Sequence, residues 1–136
     1  NETDGLLHKN PSGSTGMQDL IDWPRNMRDG FVFNDVNAVA NSYAAQAAEY
    51  LADLAGWIGR PASEVAGYRA TAKGIRQGVM RTMWNNATGR FRDGAYDPRA
   101  RNHSAVHATI FPAACGVVAE AAAKRRDSIL RRCTVM

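Results

Sequence analysis

Fourteen consecutive positions, Leu20 to Phe33, hold two carboxylates, two guanidiniums and three aromatic rings, punctuated by Pro24 and Gly30. Trp23 offers a flat apolar face with one donor, on which a sugar ring can stack. Asp22 beside it accepts hydrogen bonds from ring hydroxyls. Arg25 and Arg28 present fixed forks of donors for hydroxyls or carboxylates. That is the chemistry of a carbohydrate subsite. The same residues also fit a structural role, in which Trp23 plugs the top of a core and Asp22 caps the following turn. Residue types alone favour the structural role.

Other groups in the chain carry weaker signals. Asp22, Asp29, Asp35 and Asp93 lie in or near loops. Inverting glycoside hydrolysis needs one protonated and one ionised carboxyl roughly 6.5–9.5 Å apart, and the sequence places no two of these as partners. Arg28 and Asp29 read as a mutual salt bridge that holds the loop, and Asn37 as the cap of the helix that follows. His107 falls one turn into a later helix, where a lone histidine is more often a core or capping residue than a ligand. Trp57 and Trp84 sit on helix stripes or ends and read as core. Cys115 and Cys133, without a paired Cys or His spacing, argue against a metal site; Cys115 reads as a small buried hydrophobe. Asn1-Glu2-Thr3, Asn86-Ala87-Thr88 and Asn102-His103-Ser104 match the glycosylation acceptor pattern.

The elements that must position these groups are helical. The 136 residues are 45% hydrophobic and 22% charged, a globular composition sufficient for one domain. Residues 1–19 carry no apolar period and read as loop, with a short strand at Gly5-Leu6-Leu7-His8. Pro24 turns Trp23 toward extended backbone, and Gly30 is free to take a positive φ and end a turn. Val36, Val39, Tyr43, Ala47, Tyr50, Leu54 and Ile58 then recur at helical spacing and predict a stripe facing a core. Ala38, Ala44, Ala45 and Ala48 on the other faces let neighbours approach closely, as suits an inner helix of a layered assembly. Gly59 and Pro61 end it.

A second helix is predicted from a Ser63 cap, with Val65, Tyr68, Ala72, Ile75, Val79 and Met83 as its apolar stripe, making an antiparallel hairpin with the first. Asn85 to Gly89 reads as a turn and Arg90 to Tyr96 as an extended piece over it. A third helix is predicted from a Ser104 cap to about Val118, kinked or left with a free carbonyl by Pro112. Residues 119–132 form a fourth helix or a tail.

Net charge is +4, with Lys124, Arg125, Arg126, Arg131 and Arg132 clustered at the end. No aromatic interleaves them, so they read as a solvated helix face rather than a nucleic-acid site. No stretch has the apolar length to span a bilayer. No charged-then-apolar leader opens the chain, which leaves its compartment open. No cofactor is implied.

The wording of the Leu20–Phe33 run resembles the aspartate-tryptophan loop of bacterial α-L-rhamnosidases, glycoside hydrolase family 78. The similarity continues through Val36-Asn37-Ala38, Leu54-Ala55-Gly56, Ile58-Gly59 and Tyr68. It then takes in Phe91-Arg92-Asp93-Gly94 and Ser104-Ala105-Val106-His107-Ala108, about two thirds of the chain in all. The resemblance implies an all-α fold of helical hairpins, part of an (α/α)6 toroid of the six-hairpin glycosidase type. It implies hydrolysis of terminal α-L-rhamnose by inversion. It also implies substrate-binding roles for Asp22 and Trp23, with Arg28, Asp29 and His107 as further candidates.

Two departures qualify it. The family's general acid lies in an Arg-Asp-Glu run followed by Gly-Trp-x-Gly-Asp, which this chain lacks; Arg28-Asp29-Gly30 imitates it only superficially. The family's later glutamate base has no counterpart either. Fifteen residues of helix span only ~22 Å, so twelve helices need more than twice this chain.

The expectation is therefore a partial catalytic domain over 1–136, inactive alone. It divides into a loop-rich lead-in (1–36), a helical hairpin (37–84), a turn and extended loop (85–103) and a kinked helix with basic tail (104–136). Its expected partners are a rhamnose-containing carbohydrate and the remainder of the domain, with self-association if isolated, and neither nucleic acid nor membrane. The alternative is a non-catalytic helical interaction module using exposed helix faces and the basic tail.

Overall fold

The computed structural model describes residues 4–9, 21 and 25–118. The lead-in at 10–20, Asp22, Trp23 and the basic tail with Cys133 lie outside them. The described residues form an all-α unit with one two-stranded sheet, and none of its helices is long and apolar enough to cross a membrane.

Helix α1, Ala38–Trp57, begins where expected: Asn37 has extended backbone and its side chain accepts the Ala40 N–H at 2.7 Å. One of the donors a helix start leaves orphaned is thus satisfied. Its far end closes on Gly59, whose φ of 73° lets Gly59 N–H reach Gly56 C=O (3.2 Å) and Arg60 N–H reach Ala55 C=O (2.8 Å). This is a Schellman motif, and Pro61 behind it cannot extend the helix. Helix α2, Ala62–Met83, starts at Pro61 itself. Ser63 lies inside the first turn rather than capping it; the N-cap is Pro61, which makes no side-chain cap bond. Glu64 in that first turn pairs back to Arg60 at 2.9 Å.

The two helices run antiparallel. Arg69 reaches Asp53 (3.1 Å) and Glu49, and Arg76 reaches Glu49 (2.8 Å) and the Cys115 carbonyl. Ala72, Ile75, Val79 and Met83 of the predicted α2 stripe are buried, each large member contributing about 1.5–3 kcal/mol.

On α1 the expected stripe divides. Val36 and Val39 are buried, but Tyr43, Tyr50, Leu54 and Ile58 are exposed, and Trp57, expected in the core, is 83% exposed. The buried face is instead Ala38, Asn41, Ser42, Ala45, Ala48, Ala52 and Ala55. Small side chains win this contact because they let the α2 backbone approach closely. Among the exposed large residues, Tyr43 lays its ring 5.1 Å from that of Phe111.

Residues 4–9 form no strand. They lie extended across α2 over Gly78, where any Cβ would strike Asp4 O and Leu6. Their backbone is matched by a side chain: Asn41 accepts Leu7 N–H (2.8 Å) and donates to Leu7 C=O (3.2 Å). Asp4 is the clamp of this segment, taking the Leu6 N–H, the His8 ring (2.7 Å) and the Tyr96 hydroxyl (2.7 Å). Burial pushes its carboxyl up. The bonds from Tyr96, Leu6 and His8, with the His8 charge, outweigh that and hold it well below the usual carboxylate range. The bond to Asp4 raises the Tyr96 phenol in turn.

After α2 the chain makes a small antiparallel hairpin, β1 (Trp84–Asn85) with β2 (Arg90–Phe91), which seats the fully buried Phe91 edge-on against Trp84. The extended loop then contains a short helix, α3 (Pro98–Arg101), absent from the sequence expectation and started by Asp97 capping Arg99 and Ala100 N–H with Pro98 at the first position. Helix α4 spans Val106–Ala114, shorter than predicted at both ends. Ser104 does not cap it. Pro112, the seventh of its nine residues, removes the N–H that would bond the Ala108 carbonyl, the helix ends two residues later, and Val117 N–H closes onto the Pro112 carbonyl.

Candidate functional site

The site grows from the junction of two helix starts. Ala38 N–H at the head of α1 donates to the Asp93 carbonyl (3.0 Å), and Ala105 N–H at the head of α4 donates to the Asp93 carboxylate (2.7 Å). Tyr43 and Phe111, each about one and a half turns into its helix, touch. So α1 and α4 run parallel with both N-termini at one end. The loop of interest closes over that end.

Asp93 organises it. Its side chain is fully buried and accepts three bonds: Ala105 N–H, Val32 N–H (2.8 Å) and the His103 ring nitrogen Nδ1 (2.6 Å). Its own N–H donates to the His103 carbonyl at 3.0 Å. Two helix N-termini place their partial positive charge around it. A carboxylate here is stable because its oxygens are met by donors, not because it is solvated. Among the residues on which sequence reasoning centred, Asp93 was one of four loose carboxylates, and His103 appeared only inside a glycosylation pattern. The pairing spans ten residues that include the short helix α3 and no repeating pattern, so no periodicity could reveal it.

The central loop is shaped as its punctuation suggests. A 3-10 turn at Arg25–Met27 leads into Arg28-Asp29-Gly30-Phe31, in which Asp29 (φ 49°) and Gly30 (φ 67°) are both left-handed. Phe31 N–H closes onto Arg28 C=O at 2.9 Å. Two positive φ values with that bond make a turn of the type I′ class, for which Asp-Gly is a favoured pair.

Asp29 spends its carboxylate on the Val106 N–H at 2.7 Å, an anchor to α4 rather than the Arg28 salt bridge expected from the sequence. It is thus the side chain that caps α4, seventy-seven positions away in the chain, and the reason Ser104 is not needed. Arg28 stands over the Phe33 ring, its guanidinium carbon 5.2 Å from the centroid. His107 is half-buried in the first turn of α4, its ring stacked near Phe111 at 6.3 Å. Arg28, Asp29 and His107 therefore gather at the α4 end with His103, while Asp22 and Trp23 lie outside the described residues.

Asp93 is sealed by its three donors, whereas Asp29 is exposed and gives one oxygen to the Val106 N–H. Half-buried beside it are Arg28, on an aromatic face, and the His103 imidazole, held by a buried acid, side chains of a kind that meet hydroxyls or anions.

A model of the mannosylglycerate hydrolase MGH1-like glycoside hydrolase domain matches residues 8–134. No curated protein and no solved structure matches the chain. With nearly its whole length matched and an all-α hairpin fold, the chain belongs to the MGH1-like glycoside hydrolase domain family.

Proposed function

We propose that this chain forms the sugar-binding part of a glycoside hydrolase that releases terminal α-L-rhamnose by inversion, with the general acid and base on other segments and no turnover by these residues alone. Membership of the glycoside hydrolase family supports the reaction class. The wording of the Leu20–Phe33 loop supports the deoxy sugar, for which a stacking Trp23 and an accepting Asp22 are suited.

The observation that carries the reading is the convergence of that loop on the paired N-termini of α1 and α4 through Asp29 and Asp93. An inverting pair must leave room for water between two carboxyls, and Asp93, fully buried on three donors, does not meet that need.

A second reading is favoured by the family's name: a glycoside whose aglycone bears a carboxylate, as in mannosylglycerate, with Arg28 as its fork. Assays on an aryl α-L-rhamnoside and on mannosylglycerate separate the two. The expected result is no turnover of either by this chain. Rhamnoside turnover is expected once a fragment supplying the remaining helices is added. Restored turnover of mannosylglycerate alone would transfer the assignment to the second reading. Turnover by the chain alone that vanishes in Asp22→Asn or Asp29→Asn would overturn the placement of acid and base elsewhere. If added segments restore nothing and an unrelated protein is bound instead, the interaction-module alternative takes over.

A further inference from the structure

Helix α1 has two faces, and one of them is left open. Ala45, Ala48, Ala52 and Ala55 are buried, while Ala47, Tyr50, Leu54 and Trp57 on the other side are exposed. Their steps of three, four and three residues are those of a heptad seam, the spacing that lets one helix set knobs into the holes of another. Leu51 and Ile58 widen it. Trp57 is 83% exposed, Ile58 67%, Tyr50 65%, Leu54 50% and Leu51 47%. A contiguous apolar face of that extent marks an interaction surface.

The chemistry of the face selects what covers it. The charged side chains of α1 are Glu49 and Asp53, and both reach α2, where Arg69 and Arg76 hold them. The seam is therefore neutral, and a second copy of this chain, despite its net charge of +4, meets no like charge along it. A helix that lies on a membrane surface carries Lys and Arg on its polar face, and α1 has neither. Covering the five large side chains removes on the order of 600 Å² per copy, at the lower end of stable interfaces, whose usual size is about 800 Å² per partner.

Residue sizes select the direction. In a parallel pair Trp57 would meet Trp57 and Ala47 would meet Ala47, one layer overfilled and another hollow. In an antiparallel pair Trp57 of each copy covers the partner's Ala47 and Tyr50 covers the partner's Leu54. Large then faces small, each contact occurs twice about a two-fold axis, and the helix dipoles oppose.

We propose that this chain forms an antiparallel two-fold dimer through the outer face of α1, with Trp57 against the partner's Ala47 and Tyr50 against the partner's Leu54. The face, direction and register stand independently of the glycoside hydrolase reading.

Sedimentation equilibrium and oxidative cross-linking of the 136-residue chain test it. The parent is expected to be monomeric at ~1 μM and dimeric above ~100 μM, as suits an interface of this size. Tyr50→Glu puts a carboxylate into the seam at a position exposed in the monomer. It is expected to keep the monomer's melting temperature and to weaken dimerisation about tenfold or more. In a Cys133→Ser background, mixed Tyr50→Cys and Leu54→Cys chains are expected to cross-link to each other in preference to their own kind. A dimer that Tyr50→Glu leaves at full strength, or cysteines that join only like with like, overturns the proposal. Should Tyr50→Glu fail to fold, the cross-linking decides alone. A parent that stays monomeric at every concentration also overturns it, and tryptophan emission that then shifts blue on adding the remaining segments of the domain assigns the face to them instead.

Discussion

Substituting Asp93 tests the junction on which the site is built. In Asp93→Asn the side-chain shape is kept, but one carboxylate oxygen becomes an NH2. Placing the remaining oxygen at Oδ2 preserves acceptance from Val32 N–H and His103 Nδ1. The NH2 then faces Ala105 N–H across the 2.7 Å that Oδ1 now spans. A buried donor left without an acceptor costs about 1–3 kcal/mol, and bonds to a neutral oxygen are weaker than bonds to a charged one.

The expected loss is ~3 kcal/mol, a fall in melting temperature on the order of 10 °C for a chain of this size. Asp93→Ala strands all three donors and opens a cavity, so its loss should exceed ~4 kcal/mol. Urea denaturation with linear extrapolation measures both, and hydrogen exchange localises the damage: Ala105 and Val32 amides should lose protection before those of Ala45 or Val79. Asparagine and alanine variants of equal stability, or an asparagine variant within ~0.5 kcal/mol of the parent, would refute the idea that three inward donors define this position.

Other perturbations follow from the same geometry. Gly30→Ala forces a Cβ into a left-handed residue and against His103 Nε2 at 3.2 Å; a loss of about 1–2 kcal/mol and a displaced His103 ring should appear in thermal melts and ring NMR. Asp29→Ala removes the bond to Val106 N–H and should cost about 1–2 kcal/mol, as a lost cap does, with exchange rising first in the opening turn of α4. The Asp4 clamp is pH-dependent with a definite sign. A carboxyl whose folded pKa is depressed contributes stability above its unfolded value of about 3.9 and loses it as pH falls from there toward the folded value. Protease sensitivity of residues 4–9 should therefore rise below about pH 4, and Asp4→Asn should show that sensitivity at neutral pH. Leu54→Glu, on the exposed stripe of α1, should change stability by no more than ~0.5 kcal/mol while lowering self-association in sedimentation experiments.

The local parts of this fold were legible because their causes are local. Asn37 is followed by a helix it can cap, Gly59-Arg60-Pro61 can only end one, and Asp29-Gly30 is a turn by composition. Ser63 and Ser104 misled because a capping residue type is not a cap until its hydroxyl reaches an N–H. A proline at one helix and a distant carboxylate at the other took their places. The site was half legible. Arg28, Asp29 and His107 do assemble at one end, whereas Asp93 and His103 are joined by loop geometry that leaves no period in the sequence.

The divided stripe of α1 bears on the site itself. Periodicity reports that a face is apolar, not which neighbour covers it, and α1 has two such faces. The alanine face is fully engaged with α2 and α4. The head of α1 is pinned to Asp93 through Ala38 N–H. The large side chains, Tyr50, Leu54, Trp57 and Ile58, lie toward the opposite end of the helix, several turns from Asn37. Whatever packs against that end therefore adds apolar burial without touching the bonds that hold Asp29, Asp93 and His103. The junction of the two helix starts is thus held by bonds within this chain, separate from the exposed apolar end of α1.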